Sequence, residues 1–342
     1  MSEAEVASDK LDKTIAVLGA GSYGTALAIQ LARADRPILL WGRDSEAVAA
    51  MATTRENSRY LPGCEFSDNL EPIADLAEVL RRADDIVLAV PSHSIRAMLE
   101  IIAPQLTGQR LACAAKGLEP GTGRLLDDVF SDVLGEGYPV AFIAGPTFAK
   151  EVGQGIPTAV TVAARDEAVA DDFAAYFHHH GFRAYTQTDV VGVEVGGAVK
   201  NVLAIGVGIA DGMGAGANTR SLMITRGLAE MMRLAEALGG HSETMMGLAG
   251  IGDLVLTCTD DQSRNRRMGL ALAAGKTVEQ AQEDIGQVVE GVRVAAEVHR
   301  LALQRGVEMP ICEQIYQVLH EGQPPLMAAR VLADRPQRAE LG

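Results

Sequence analysis

Cysteine is scarce in this chain of 342 residues. Cys64, Cys113, Cys258 and Cys312 stand far apart and form no Cys-x-x-Cys pair. That spacing argues against a disulfide framework and fits reduced thiols in a cytoplasmic protein. Basic residues are also short, with 30 Lys and Arg against 45 Asp and Glu, a formal charge of −15. Such a balance favours solubility and speaks against nucleic acid or an anionic membrane as partner. An anionic ligand would have to be drawn in by local Lys and Arg, against the global field. Met1 to Lys13 has no apolar core, so no signal peptide is expected there, and this polar extension suggests no role of its own. Internal repeats and low-complexity tracts are missing as well. Apolar residues are plentiful at 48%, which rules out disorder. The length exceeds one usual core, so two domains are expected.

One stretch is especially informative. The apolar run Ile15-Ala16-Val17-Leu18 leads into Gly19-Ala20-Gly21-Ser22-Tyr23-Gly24, and helix-forming Thr25-Ala26-Leu27-Ala28-Ile29 follows. Strand, glycine turn and helix in that order can hold the pyrophosphate of a dinucleotide. Gly19 permits the tight turn, Gly21 lets the backbone approach phosphate, and Gly24 lets the helix pack on the strand. The helix start then offers N–H groups and partial positive charge.

The next apolar run, Pro37 to Trp41, reads as the second strand of the same unit and ends in Trp41-Gly42-Arg43-Asp44. An NAD site usually places a carboxylate near this position, on the ribose 2′-hydroxyl. Arg43 suits a 2′-phosphate instead, because its planar fork matches phosphate oxygens. NADP(H) is therefore favoured, with NAD(H) possible. The alternative leaves Arg43 as a solvated loop charge, with Asp44 reaching back to a ribose.

Further apolar runs cover 85–90, 110–115, 140–144, 158–162 and, shorter, 183–186. Continuous runs separated by helices predict a buried, mostly parallel sheet. Several end in conspicuous residues: Pro91-Ser92-His93, Lys116-Gly117 and Gly145-Pro146-Thr147. Ligands of doubly wound sheets bind beyond these carboxyl ends. Past Asp189 the signals are helical, over 191–210, 219–238, 264–274, 290–305 and 310–320, with no strand signal. The fold expected is an α/β Rossmann-type doubly wound domain over 1–188, followed by an all-α domain over 189–342. The stretch 191–210 has the length of a membrane span, but Glu194, Lys200 and five glycines favour a buried core helix carrying functional charges, with no integral membrane segment.

Inside that helix lies Gly196-Gly197-Ala198-Val199-Lys200-Asn201. Helical side chains lean toward the N-terminus, so Lys200 would lie over two glycines that leave room for a ligand. Apolar surroundings disfavour an ammonium and would bring this lysine toward proton-transfer chemistry. Asn201 could hold a second ligand oxygen. A plainer reading has Lys200 snorkelling to water. Asp253, in the glycine-dense Gly247–Leu254, could orient a lysine or simply cap a helix. Ser263-Arg264-Asn265-Arg266-Arg267 opens a helix with Ser263 as N-cap, either a phosphate site or a solvated basic face. His178-His179-His180 lacks a matching ligand array, and its adjacent side chains diverge, so no metal site is expected. The Met231-Met232 and Met245-Met246 pairs read as core filler.

Taken in order along nearly the whole chain, these motifs resemble the bacterial-type NAD(P)-dependent glycerol-3-phosphate dehydrogenases. The resemblance rests on Gly19–Leu27, Trp41–Arg43, Val90–His93, Lys116-Gly117, Gly145–Ala149, Gly196–Asn201, Gly247–Leu254, Ser263–Asn265 and Gly286–Gly291. It implies reversible reduction of dihydroxyacetone phosphate to sn-glycerol 3-phosphate, the backbone precursor of phospholipids, by a homodimer. It implies that Ser22, Tyr23, Arg43, Lys116, Ala149, Arg264, Val288 and Glu290 contact the dinucleotide. Lys116, Gly145, Thr147, Lys200, Asp253, Ser263, Arg264 and Asn265 would line the substrate, with Lys200 as the acid/base. The nearest rival is a β-hydroxyacid dehydrogenase, which also uses a helix lysine but carries its Asn three or four positions later. A non-catalytic NADP(H)-sensing protein is the other.

Overall fold

The computed structural model describes residues 13–337 and 339–340. The extension before Lys13 therefore lies largely outside the described residues. Contacts divide the chain into two compact units. One comprises residues up to Lys116 together with Leu125–Glu194. The other comprises Gly117–Arg124 together with the chain from Val195 onward.

The first unit is an eight-stranded sheet. Its elements are β1 (Ile15–Leu18), α1 (Ser22–Ala32), β2 (Ile38–Trp41), α2 (Ser45–Thr54), β3 (Leu70–Ile73), α3 (Leu76–Arg82), β4 (Asp85–Leu88), α4 (Ile95–Ile102), β5 (Arg110–Cys113), α5 (Leu126–Leu134), β6 (Val140–Ala144), α6 (Ala149–Gln154), β7 (Thr158–Ala164), α7 (Glu167–Phe177) and β8 (Phe182–Gln187). The strand order is β3-β2-β1-β4-β5-β6-β7-β8. All neighbours are parallel except β6 and β7. Every residue of β1 and β4 is buried, as the unbroken apolar runs require of strands covered by helices on both faces. The chain order reverses at β1, so β1 and β4 flank the switch point where such sheets bind ligands. Leu18 is level with Trp41 on one side and Leu88 on the other, and Leu88 is level with Cys113. The residues after these strands consequently emerge along one rim.

Strand β3 carries no apolar-run signal because Glu71 and Pro72 interrupt it. Ile38 N donates to Asn69 O (2.9 Å) and Gly42 N to Ile73 O (3.3 Å). Alternation then turns the missing N–H of Pro72 to the open edge, the one place in a sheet that tolerates proline.

The second unit is helical: α8 (Val190–Gly212, entering this unit at Val195), α9 (Ala217–Ala237), α10 (Asp253–Thr259), α11 (Arg264–Ala273), α12 (Val278–Ile285), α13 (Glu290–Arg305), α14 (Pro310–His320) and α15 (Pro325–Ala333). The expected windows at 290–305 and 310–320 match to the residue. Helices α10, α12 and α15 lacked a long apolar period and were not anticipated. By length and composition α8 could cross a membrane, yet nearly all of it is buried within the protein. Glu194, near the start of this helix, has a structural use. Its carboxylate accepts from Leu126 N (2.8 Å) and Asp127 N (3.3 Å), serving the uncapped start of α5. The segment Gly117–Arg124 is tied to α13, where Glu297 Oε1 accepts from Gly121 N at 2.9 Å. Met231 and Met245 are core residues, but Met246 is exposed, against the filler reading.

Of the three histidines only His178 turns away; the rings of His179 and His180 meet edge to face, centroids 5.3 Å apart, against the expected divergence. His178 Nδ1 lies 3.2 Å from Ala184 O, and His180 adopts a left-handed φ of 48°. His179 Nε2 lies 3.0 Å from Tyr176 O and its Nδ1 3.1 Å from that of His180. Burial pulls the His179 pKa down to about 4, with Arg36, Arg33 and His180 adding repulsion. The ring is thus neutral at pH 7, with Nε2–H donating to the carbonyl. An unfolded histidine titrates near 6.5, so between about pH 6.5 and 4 the unfolded chain binds the extra proton. Stability should fall across that window as pH drops. Urea unfolding of the wild type and His179→Gln at pH 7 and 4.5 checks this, the variant showing the shallower loss.

Candidate active site

The glycine turn gives the first unit its candidate nucleotide cradle. Gly19 adopts φ +125°, and a Cβ there would lie 2.7 Å from Ala89 O. A Cβ on Gly24 would lie 1.9 Å from Gly19 O, so α1 can approach β1 only with glycine at this position. Around Gly21 the space is open. This residue caps α1 without any side-chain hydrogen bond, leaving the first N–H groups of the helix to an incoming anion. A dinucleotide pyrophosphate fits that cradle.

Beyond β5 and β6 the chain brings four of the expected residues together. Lys116 Nζ donates to Gly145 O at 2.9 Å and lies 5.4 Å from the centre of the Tyr23 ring. Thr147 Oγ1 lies 3.0 Å from Tyr23 Oη and 3.1 Å from Gly145 O. Gly145 holds φ +137°, a left-handed value that favours glycine. Ala149 opens α6 directly after this group, and Ser22 opens α1. At the end of β2, Arg43 is exposed and Asp44 is committed elsewhere. The Asp44 carboxylate caps α2, accepting from Glu46 N (3.2 Å) and Ala47 N (3.1 Å). Both bonds fall on Oδ1 of that carboxylate.

In the second unit Lys200 is 5% exposed and does not snorkel to water. Its Nζ donates to Asp253 Oδ1 at 2.5 Å and to Thr257 Oγ1 at 2.9 Å. Asp253 is 1% exposed and begins α10, whose next turn presents Thr257, itself donating to Asp253 O at 2.6 Å. The carboxylate compensates the ammonium for its lost hydration. Thr257 was not anticipated; its only sequence signal is the four-residue spacing from Asp253, which places both on one helix face.

The room expected beside Gly196 is filled by the protein. A Cβ there would lie 2.3 Å from Ala249 O, in the wide turn Leu248–Gly252 where Gly252 N bonds back to Gly247 O at 3.2 Å. That glycine admits backbone rather than ligand, and so brings Asp253 up to Lys200. Asn201 is likewise engaged: its Oδ1 accepts from Asn265 Nδ2 at 2.8 Å and its Nδ2 donates to Gly197 O at 3.2 Å. Asn265 Oδ1 in turn accepts from Gly291 N at 2.9 Å. Gly291 cannot carry a side chain, since a Cβ would lie 2.5 Å from Asn201 O. The chain of contacts fixes the start of α13, and with it Glu290, against the start of α11.

Ser263 caps α11 by accepting from Arg266 N at 3.2 Å. Arg264 donates to Gln287 Oε1 at 3.2 Å. Burial pulls its pKa below the ordinary guanidinium value, Glu290 opposes this, and Arg267 adds to it. Val288 lies exposed just before Glu290.

A doubly wound sheet with a phosphate-binding glycine turn, joined to a helical unit with a buried lysine, defines a dinucleotide-dependent oxidoreductase architecture. Residues 14–170 match the family described as NAD-dependent glycerol-3-phosphate dehydrogenase N-terminus, and residues 189–330 the corresponding C-terminus. A glycerol-3-phosphate dehydrogenase (NAD(P)+) of Nitrosococcus oceani is 55% identical over 97% of both chains. One from Aeromonas salmonicida is 55% identical over 95% of this chain and 98% of its own. The crystal structure of glycerol-3-phosphate dehydrogenase from Coxiella burnetii superposes with a TM-score of 0.92 at 44% identity, covering 95% of this chain and all of that one. The chain belongs to the NAD-dependent glycerol-3-phosphate dehydrogenase family.

Breaking a buried ion pair from one side leaves a stranded charge, at a cost of about 3–5 kcal/mol. Asp253→Ala is expected to lose stability on that scale in urea titrations. The double substitution Lys200→Met/Asp253→Leu should recover most of it.

Proposed function

We propose that the chain catalyses the reversible NAD(P)H-dependent reduction of dihydroxyacetone phosphate to sn-glycerol 3-phosphate, feeding phospholipid synthesis. In this reading residues 1–188 bind the dinucleotide and residues 189–342 the substrate. The observation that carries it is the buried Lys200 ammonium on Asp253 and Thr257, in a unit that also holds the half-buried Arg264. A ketone needs a proton at oxygen and a phosphate needs a cation, and both groups are present.

The bound dinucleotide supplies the hydride that C2 of the substrate receives. Lys200 donates a proton to the C2 oxygen as negative charge develops there, and takes it back in the oxidative direction. Asp253 and Thr257 aim the ammonium. Arg264, Asn265 and Ser263 at the start of α11 hold the phosphate, with Lys116, Gly145 and Thr147 completing the substrate contacts. Gly19, Gly21, Ser22, Tyr23 and Gly24 cradle the dinucleotide, with Arg43, Lys116, Ala149, Arg264, Val288 and Glu290 as further contacts.

The commitment of Asp44 to capping, beside exposed Arg43, supports NADP(H) over NAD(H), with NAD(H) still usable. Four free, buried cysteines suit the cytoplasm. The homodimer that the resemblance implies is readable by light scattering.

Following NADPH absorbance with dihydroxyacetone phosphate, against 2- and 3-keto acids, tests the assignment; turnover of keto acids alone would refute it. Lys200→Ala should lower kcat by about 100- to 10,000-fold with NADPH affinity nearly unchanged. Arg43→Ala should weaken NADPH binding well beyond any change for NADH, as read by fluorescence titration; equal losses would remove the 2′-phosphate assignment.

A further inference from the structure

The start of α11 carries three arginines, and the structure treats them differently. Arg266 is neutralised, pairing with Asp211 and, at 2.8 Å, with Asp261. Arg264 and Arg267 make no ion pair with any described carboxylate. Three residues apart, they share one helix face and repel each other. Glu290 lies close enough to attract Arg264 but makes no ion pair with it. Arg267 has its Nε enclosed without an acceptor, a costly state for a guanidinium N–H. The neighbouring Ser263 hydroxyl accepts from Arg266 N and carries no charge to offset either arginine. Two cations without a counter-charge, one of them held only by the neutral Gln287, stand beside a helix start, an arrangement that a doubly charged anion would complete.

We propose that Arg267 is a second phosphate-binding residue, which with Arg264 selects the substrate's phosphate in its dianionic form. This rests on the functional reading above. One guanidinium balances a monoanion; the second is what a dianion requires, and it adds discrimination against ketones that lack phosphate.

The test uses full-length protein with Arg267→Gln and Arg267→Lys, thermal melting confirming that each is folded. Arg267→Gln should lower kcat/KM for dihydroxyacetone phosphate by about 10- to 100-fold, chiefly through KM. Turnover of unphosphorylated dihydroxyacetone and the Kd for NADPH should stay unchanged, and Arg267→Lys should restore part of the loss. Phosphate monoesters lose their second charge near pH 6. The penalty of Arg267→Gln should therefore shrink as pH falls from 7.5 to 5.5. Equal losses with both ketones, a weakened NADPH Kd with KM unaltered, a penalty independent of pH, or no effect would each overturn the proposal. A wild type inactive on dihydroxyacetone phosphate would instead bring down the functional reading, and this inference with it.

Discussion

A charged amine kept almost free of water is the constraint around which the helical unit is arranged. At 5% exposure Lys200 is met by Asp253 at 2.5 Å, which offsets its lost hydration, and Thr257 fills another donor direction. To deliver Asp253 there, the chain makes a wide turn over Leu248–Gly252, and that turn fits against α8 only because Gly196 has no side chain. Gly196 thus serves packing, while the polar chemistry comes from the segment it lets in.

The same logic recurs where α13 begins. Gly291 lies against Asn201 O and Asn265 Oδ1, and its own N–H satisfies the Asn265 amide. Two asparagines that are obvious ligand donors on paper act first as struts. Their hydrogen bonds hold the starts of α11 and α13 in register, which sets where Arg264 and Glu290 can reach.

Much of this was legible from residue order. Covered strands announce themselves as apolar runs, and with the short edge segment 183–186 seven of the eight were visible. The exception, Leu70–Ile73, contains an acid and a proline that only an edge tolerates. Helices α13 and α14 carry clear apolar periods; α10, α12 and α15 are short and are held by their surroundings rather than by pattern. At the site, the glycine turn could be read directly because each glycine answers a local steric demand. Asn201 and Glu194 could not, since their partners depend on tertiary geometry, whereas Asp44 is a local helix cap that its position before Ser45 could have signalled. An amide from α11 claimed Asn201, and the backbone at the start of α5 claimed Glu194.

The two borders of the sheet differ in chemistry but share an outcome. On one side Pro72 offers no outward amide. On the other, β8 leaves Arg183, Thr186 and Tyr185 accessible, Tyr185 at 51% exposure, so polar and bulky groups line the flank. Neither border is a flat, apolar template on which a foreign strand could zip, so fibrillar stacking is discouraged from both ends.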